Sequence, residues 1–563
     1  MNIIWDIPPK LSNWVALDLE LVNTNVKVLH RPQGGDFALL TLYDGKNVYI
    51  INNEVTIPNV IHNIKDCVWV FHNSKFDLTH LRRWADIPPR NKIWDTMLID
   101  KIMYSGYYDT FSLADLSRRY LGKFLDKSLQ KEWGDVDIKN VPQEYIDYAV
   151  GDVVTTYDVA MEQKKQVKKQ DFWIWSHIDL PAMWAVMDFM GFRIDSEQWL
   201  ALADKNKKRS IEIDATIPFN PRSPKVAREY LAKRGFRGLP NTQEDTLEMW
   251  MNKFPDTEAA VLAKSCLESR KYAKRASTYG KSLVENYVEK DLVHKVDVVF
   301  GDYNILGAET GRLACSSPNM TNIIARDTDE FRKCFIARPG HKLIICDYSQ
   351  QEIGLSAYIS KDKNLLDIFN SGKDIYIEMA KVMYGKTITH DDPLRKRMKS
   401  VVLGTNYGMS EYGLAKKENI TKEEAIDFLN KFAKAFPDLN QWMVNQQKIK
   451  NFTNTILKRK TFLNPYSSQH GRNALNNPIQ GSASDMIKMA LIELHKNWWW
   501  DGGFLFPVVA VIHDEIVLDI PENKAEELAE FVKKCTMDAA NKMCPGMKFK
   551  VDVHIGDTWA SKE

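Results

Sequence analysis

The chain has 563 residues, of which 44% are hydrophobic and 27% charged, and its formal net charge is +2. That length exceeds one hydrophobic core and predicts about three or four domains. A near-neutral charge does not by itself indicate nucleic-acid binding, so any such surface must be local. Without a signal peptide, a long apolar run or a Cys-x-x-Cys pattern, we expect a soluble, cytoplasmic protein with seven reduced cysteines and no zinc knuckle.

Paired polar side chains recur in three short segments of the first third of the chain. Two pairs follow or continue apolar runs that predict strands, and the third lies in an amphipathic helix predicted to begin near Pro142. The strand period of two and the helical spacing of four place each pair on one face. The pairs are Asp18 with Glu20, Asn73 with Asp77, and Tyr148 with Asp152.

Taken singly, each pair is a common surface pattern. In this order, within roughly residues 10–165, they resemble the three motifs of proofreading 3′–5′ exonucleases with an RNase H-like fold. The resemblance implies four ligands for two metal ions, a tyrosine that orients the attacking water, and two contacts to the strand end being cut. These are Asp18, Glu20, Asp77 and Asp152 as ligands, Tyr148 as the tyrosine, and Asn73 and Phe76 as the contacts.

Two further aspartates lie far apart, each beside an apolar, strand-like run. Asp347 ends the run 343–346, and Asp514 lies in the turn of a predicted hairpin, 508–518. Carboxylates on rigid strands can hold two hard cations roughly 3.5–4 Å apart for a phosphoryl displacement. By itself the pair is weak evidence for metal, because an aspartate that ends a strand is usually an ordinary turn residue. His513 has no second His or Cys at ligand spacing, so we do not expect zinc there.

Four residues between these aspartates recur at a spacing of four, which predicts one face of a helix. They place cations at one end and an aromatic ring at the other, an order that suits a nucleoside triphosphate lying along the helix. Lys399 is a candidate general acid for the leaving pyrophosphate. The alternative, a charged amphipathic helix, does not predict this order. The four residues are Arg395, Lys399, Leu403 and Tyr407.

The motif Asp347-Tyr348-Ser349-Gln350-Gln351-Glu352, this helix and the block 472–481 resemble family A DNA polymerases, the bacterial DNA polymerase I class, in a phage-like form. The resemblance implies two Mg²⁺ ions per active site, with Mn²⁺ as a substitute, and a Glu352 that excludes ribonucleotides by crowding C2′. The implied metal ligands are Asp347, Tyr348 and Asp514; the dNTP contacts are Tyr348, Gln350, Glu352, Arg395, Lys399, Leu403, Tyr407 and His513; and the DNA contacts are Arg270, Lys274, Thr310, Arg312, Asn319, Arg472 and Gln480.

The fold implied is an α/β and α+β multidomain protein, with an RNase H-like exonuclease domain before a right-hand polymerase domain. The expected boundaries are 1–170 for the exonuclease and 171–563 for the polymerase, with the thumb at about 200–300, the palm at about 301–360 and 475–563, and the fingers at about 361–474.

Three basic clusters are candidates for a local DNA-binding surface, although each could be a solvated helix face. They are Lys264 with Arg270, Lys271, Lys274 and Arg275; Arg395 to Lys399; and Lys458-Arg459-Lys460.

Four positions depart from the family pattern. Val402 and Leu403 stand where Asn and an aromatic residue are usual, which predicts weaker nucleotide binding. Gly354 replaces the usual Arg and Tyr376 the usual His, which puts the local support of the Asp347 motif in doubt.

The expected activity is template-directed addition of dNTPs to a primer 3′-OH, together with proofreading. Primer–template DNA and dNTPs are the expected partners of a monomer without a membrane, and a helicase or processivity factor is left open. Because no segment for a 5′ nuclease precedes the exonuclease motifs, we expect no nick translation and favour phage-like replication, in the host cytosol, over repair. Glu352 disfavours a single-subunit RNA polymerase, and the intact Asp347 and Lys399 disfavour a nuclease-only DNA-binding protein.

Overall fold

The chain forms two compact units, each built from separate segments. The first contains Met1–Met190, Gly301–Thr321 and Ile344–Ile555, and the second contains Gly191–Phe300, Asn322–Leu343 and Gly556–Glu563. The computed structural model describes residues 2–25, 27–89, 92–131, 136, 141–291, 293–323, 330–418, 420–498 and 506–562, without the side chains of residues 130, 131, 396, 400, 403 and 406.

The described segments contain all seven cysteines. No disulfide joins the seven cysteines, all of which are buried. Across the same segments, none of the helices combines the length and the apolar character needed to cross a bilayer.

The strands of the N-terminal part of the first unit are β1 (Asn2–Ile4), β2 (Trp14–Val22), β3 (Asp36–Tyr43), β4 (Asn47–Ile51), β5 (Val68–Phe71) and β6 (Ile93–Asp95). They form one mixed sheet in the order β1-β4-β3-β2-β5-β6, in which β2 is antiparallel to β3 and parallel to β5. On β2 the leucines at 17, 19 and 21 are buried, whereas Asp18 and Glu20 are only half-buried on the opposite face. The predicted strand with two acids on one face is confirmed.

The helix predicted to begin near Pro142 is confirmed, and Asn73 and Asp77 lie at the start of another helix. Asn73 adopts φ of 72° immediately before the helix that carries Asp77, and Pro142 directly precedes the helix with Tyr148 and Asp152. The helices are α1 (Ile57–Ile64), α2 (Ser74–Leu81), α3 (Thr96–Tyr104), α4 (Leu113–Leu116), α5 (Gln143–Gln166), α6 (Lys169–Ile174) and, after a π-helical turn at Trp175–Asp179, α7 (Leu180–Met187).

The second unit is mainly helical, with a small three-stranded sheet. One of its cores buries Leu231, Phe236 and Leu247, and each fully buried side chain of this kind contributes roughly 1.5–3 kcal/mol. The elements are β7 (Phe192–Arg193), α8 (Ser196–Thr216), α9 (Pro224–Lys233), α10 (Glu244–Lys253), α11 (Glu258–Thr278), α12 (Lys281–Tyr287), β8 (Val288–Lys290), β9 (Asp297–Val299) and α13 (Glu330–Lys333).

The remaining strands belong mostly to the first unit. They are β10 (Asp302–Asn304), β11 (Ala314–Ser316), β12 (His341–Ser349), β13 (Phe452–Asn454), β14 (Lys460–Phe462), β15 (Val508–Ile512), β16 (Glu515–Pro521) and β17 (Lys550–Gly556). One sheet has the order β15-β16-β12-β17, and β15 and β16 form the predicted hairpin. The prediction that Asp347 ends its strand was wrong, because β12 continues to Ser349.

The helices around this sheet include the predicted nucleotide helix, which is α17. It contains Arg395 and Lys399 but ends at Asn406, so Tyr407 lies one residue beyond it rather than on it. The helices are α14 (Gln351–Ser360), α15 (Lys363–Asn370), α16 (Ile375–Tyr384), α17 (Pro393–Asn406), α18 (Glu411–Glu418), α19 (Lys422–Ala435), α20 (Pro437–Gln447), α21 (His470–Asn497) and α22 (Ala525–Met543).

Candidate active sites

The acidic residues of the N-terminal motifs converge at β2. Asp18 and Glu20 on β2 and Asp152 on α5 each place a carboxylate oxygen within 4.8 Å of the other two. Asp77, at the start of α2, is buried beside them and accepts a hydrogen bond from the Leu19 amide at 3.0 Å. Segments far apart in sequence thus form one acidic centre, at the residues that the motifs predicted.

Burial makes this centre electrostatically unfavourable without a counter-charge. It raises the pKa of Asp18 to about 7, with a further contribution from Asp152. It also holds the pKa of Glu20 and of Asp77 well above the usual range. Asp18 Oδ2 and Asp152 Oδ1 are buried and have no hydrogen-bond partner among the residues that the structure describes. Such unsatisfied, oxygen-only acceptors fit a hard divalent cation.

Lys127 is a member of this centre that the sequence analysis missed. Its ammonium group forms an ion pair with Asp152 and donates a hydrogen bond to the Tyr148 hydroxyl at 3.0 Å. Burial, followed by the charge of Asp152, raises the pKa of Tyr148 above its ordinary value. Lys127 belongs to none of the three motifs, and only the folded structure places it there.

A cavity of about 370 Å³ is lined by both predicted strand-end contacts, Asn73 and Phe76. Lys75 and Asp302 form an ion pair at its wall, and the half-buried Lys101 also lines it. The wall therefore combines an aromatic ring, an amide and basic side chains, which are the groups that bind single-stranded nucleic acid.

The second pair of aspartates belongs to the other sheet, one on a strand and one in a hairpin turn. Asp347 is on β12, and Asp514 lies in the turn between β15 and β16, next to β12 in the sheet. The Tyr348 amide donates to the Asp514 carbonyl at 3.4 Å, and both carboxylate residues are partly exposed. The Tyr348 hydroxyl lies in the core, where it donates to the Thr536 carbonyl oxygen at 2.6 Å. A backbone hydrogen bond therefore joins the residue that follows Asp347 to Asp514.

The cations of the nucleotide helix differ in their surroundings. Arg395 Nε and a terminal nitrogen donate to Asp374 Oδ2 at 2.8 and 2.6 Å, whereas Lys399 is exposed. The Tyr376 ring lies 5.8 Å from Arg395 Cζ, so the tyrosine that replaces the usual His packs beside the arginine. The Leu403 side chain lies outside the described residues.

Glu352, the predicted sugar gate that excludes ribonucleotides, forms an ion pair with Arg312, a predicted DNA contact. A terminal nitrogen of Arg312 donates to Glu352 Oε1 at 2.8 Å. Burial raises the pKa of Glu352, and the Arg312 charge opposes that rise. Gln350 precedes α14 with φ of 56° and is exposed. The exposed His513 has φ of 57° in the turn before Asp514.

The packing around position 354 explains why a glycine lies there, where the family usually has Arg. A Cβ at this position would lie 2.5 Å from Phe369 Cζ and 2.7 Å from Phe549 Cε1. These two rings pack edge to face, with centroids 5.1 Å apart. Aromatic packing therefore fills the space that a longer side chain would need.

The other predicted DNA contacts lie in both units, and each unit is described separately. In the second unit, Arg270 and Lys274 lie on α11, where Arg270 donates to Pro221 O at 2.7 Å and to Thr242. Those in the first unit are Thr310, Asn319, Arg472 and Gln480, of which Arg472 and Asn319 are exposed.

In the basic cluster at 458–460, Lys458 is exposed, but Arg459 is not on the surface that its sequence suggests. Arg459 is only 2% exposed and forms ion pairs with Asp179 and Asp485. Lys460 forms an ion pair with Asp171 at 2.9 Å. Arg459 therefore provides neither a DNA-binding surface nor a solvated face, because buried acids neutralise its charge.

Comparison with known proteins agrees with this architecture. A family model described as DNA polymerase family A matches residues 196–561, and one described as 3′–5′ exonuclease matches residues 10–168. The polymerase domain of Pol1 from M. smegmatis, solved with DNA primer–template and dNTP, has a TM-score of 0.82 over 100% of both chains at 21% identity. It therefore shares the fold.

Similar proteins include three bacterial enzymes. DNA polymerase I of Aquifex aeolicus is 27% identical over 93% of this chain and 94% of its own length. DNA polymerase I of Geobacillus stearothermophilus is 30% identical over 68% of this chain, and the thermostable DNA polymerase I of Thermus aquaticus is 28% identical over 69%. The matches span only 45% and 48% of those two proteins.

Proposed function

The chain belongs to DNA polymerase family A and carries a 3′–5′ exonuclease domain, and we propose from this premise that it extends DNA primers on a template and removes nucleotides from their 3′ ends. The observation that carries the proposal is the presence of two separate acidic centres. One is the cluster around Asp18, and the other is the pair formed by Asp347 and Asp514.

At the second centre, the primer 3′-OH gives up its proton to solvent water and attacks the α-phosphate of a dNTP. The bond from the α-phosphorus to the oxygen that bridges it to the β-phosphate breaks, and pyrophosphate leaves. Arg395 and Lys399 neutralise the triphosphate, and Lys399 donates a proton to the leaving pyrophosphate. Because Arg395 is paired with Asp374, nucleotide binding requires Arg395 to exchange or share that partner. Glu352, held by Arg312, lies against C2′ of the incoming sugar and excludes a 2′-hydroxyl.

At the first centre, Tyr148 orients the water that attacks the terminal phosphodiester, and Asn73 and Phe76 hold the strand end. The acids of both centres would hold divalent cations, with Mg²⁺ favoured by oxygen-only ligands, and these cations supply Lewis-acid stabilisation of phosphoryl transfer when bound. The ligands we propose are Asp18, Glu20, Asp77 and Asp152 in the first centre, and Asp347, Asp514 and the Tyr348 carbonyl in the second.

A primed template with a labelled primer tests this function. With Mg²⁺ and dNTPs we expect template-directed extension, and with Mg²⁺ alone we expect shortening of the primer from its 3′ end. Selective extension with rNTPs would instead support a single-subunit RNA polymerase. Shortening without any extension would support a nuclease-only protein.

We favour replication of a phage-like genome as the biological role. Repair is the second candidate, because the similar proteins are bacterial DNA polymerases I. Extension of one primer on a long single-stranded template, with and without host extract, distinguishes them. Addition of thousands of nucleotides in one binding event, on the order of a genome, would favour replication. Addition of only a short stretch of nucleotides would favour repair.

A further inference from the structure

Four buried, charged side chains connect segments of the first unit that lie far apart in sequence. Arg459 contacts Asp179 at 2.8 Å and Asp485 at 2.7 Å, and Lys488 contacts Asp179 at 2.7 Å. Their side chains are 0–3% exposed. Two cations therefore balance two anions in a low-dielectric interior, where the loss of any one charge leaves another uncompensated.

This network ends on one backbone carbonyl. Lys488 Nζ donates to Gly311 O at 2.8 Å, and Ser484 Oγ donates to the same oxygen at 2.9 Å. Gly311 has φ of 83°, and a Cβ there would lie 2.8 Å from Arg459 Cδ. Two donors and one packed arginine thus fix a glycine that no other residue can replace without strain.

The next residue after this glycine is Arg312, whose guanidinium holds Glu352 at 2.8 Å. The route from Lys488 to Glu352 therefore consists of one hydrogen bond, one peptide unit and one ion pair. Arg312 and Glu352 are themselves 34% and 23% exposed, so their pairing alone is only moderately constrained. The fixed backbone of Gly311 supplies the constraint that the exposed pair lacks.

We propose that this buried network positions Arg312 and, through it, Glu352, so that Lys488 and Ser484 are positioning residues for discrimination between deoxyribonucleotides and ribonucleotides. The proposal rests on the assignment of Glu352 as the sugar gate under the proposed function. In some proteins, buried ionic groups contribute to a specific geometry rather than to stability. Here the geometry concerns a carboxylate whose distance from C2′ decides which sugar is accepted.

Single-nucleotide incorporation tests the proposal, with the ratio of kcat/KM for dNTP over rNTP as the readout. Ser484→Ala removes one donor to Gly311 O without changing charge, and we expect the ratio to fall about three- to tenfold. Lys488→Met should lower it further. The matched control is Ser482→Ala, on the same helix, because Ser482 donates to Pro478 O and accepts from the Ile456 amide, whereas the side-chain donors to Gly311 O among the described residues are Ser484 and Lys488. It should leave the ratio unchanged.

Two reference measurements separate the possible failures. Glu352→Ala should lower the ratio more than any network variant, and if it does not lower it, the sugar-gate assignment itself is wrong. If Glu352→Ala lowers the ratio but Ser484→Ala does not, the network inference is overturned. An equal fall in Ser482→Ala and Ser484→Ala would also overturn it, because the cause would then be helix packing. Ser484→Ala decides the question even if Lys488→Met does not fold.

Discussion

The two acidic centres differ in the burial of their carboxylates and in the cations that offset the negative charge. At the first centre, which we propose is the exonuclease centre, the carboxylates of Asp18, Glu20 and Asp152 lie within 4.8 Å of one another, and burial raises their pKa values. At the proposed polymerase centre, Asp347 lies on β12 and Asp514 lies in the turn before β16, and both are partly exposed. Arg395, which we propose binds the triphosphate, already has an acidic partner in Asp374. The first centre is therefore compact and costly without cations, whereas the second depends on side chains recruited from a separate helix.

The comparison predicts that the largest effect of a single cation occurs at the polymerase centre. Lys399→Ala should lower the extension rate by about 10²–10⁴-fold, because it removes both a phosphate contact and the proposed proton donor. Exonuclease activity should not change. Lys431→Ala, on α19, is a control in the same part of the unit. Rapid-quench measurement of one incorporation step would contradict the assignment if Lys399→Ala extended at the wild-type rate.

At the exonuclease centre, Lys127 should have a smaller effect. Lys127→Met removes the partner of Asp152 and Tyr148, and we expect the rate of primer shortening to fall about tenfold. Extension by the same variant should remain normal. Lys123→Met removes an exposed lysine four residues earlier and serves as the control. An unchanged or faster shortening by Lys127→Met would show that Lys127 does not assist this centre.

Leu403 should have a weaker, opposite effect at the polymerase centre. Leu403→Phe restores the aromatic residue usual in the family, and we expect a gain of about two- to tenfold in dNTP affinity or incorporation rate. Single-nucleotide kinetics over a range of dNTP concentrations would measure it. Kinetics that were unchanged or worse would remove Leu403 as the explanation for a weaker nucleotide-binding step.

The smallest predicted effect concerns stability at the exonuclease centre. The pKa of Asp18 is about 7 in the folded chain, against about 4 when unfolded, so the folded state binds more protons between these values. Its unfolding free energy therefore falls as pH rises through that window. Asp18→Asn removes this penalty and should raise Tm by about 2–4 °C in EDTA above pH 7, but not near pH 4.

Thermal melts of Asp18→Asn and of Asp66→Asn, an exposed control, would measure this difference. A gain in Tm of the same size at both pH values would contradict a titration-based cause.

Periodicity and apolar runs were enough to predict the elements that carry the acids. The i, i+2 pair on β2 and the i, i+4 pair on α5 lie where local spacing placed them. Spacing could not predict that Lys127 contacts Asp152, because only the folded chain brings these two residues together. It also misjudged Arg459, because its acidic partners, Asp179 and Asp485, lie 280 and 26 residues away. Local patterns thus predict which face a side chain occupies, but not which distant charge neutralises it.

The measurement that tests the two-centre account most directly is a reciprocal comparison of Asp18→Ala and Asp347→Ala on one labelled primer–template. Asp347→Ala should lose extension by about a thousandfold or more and keep primer shortening within about twofold of wild type. Asp18→Ala should show the reverse. If either substitution abolished both activities, or if neither abolished its own, the chain would not contain two independent centres at these residues.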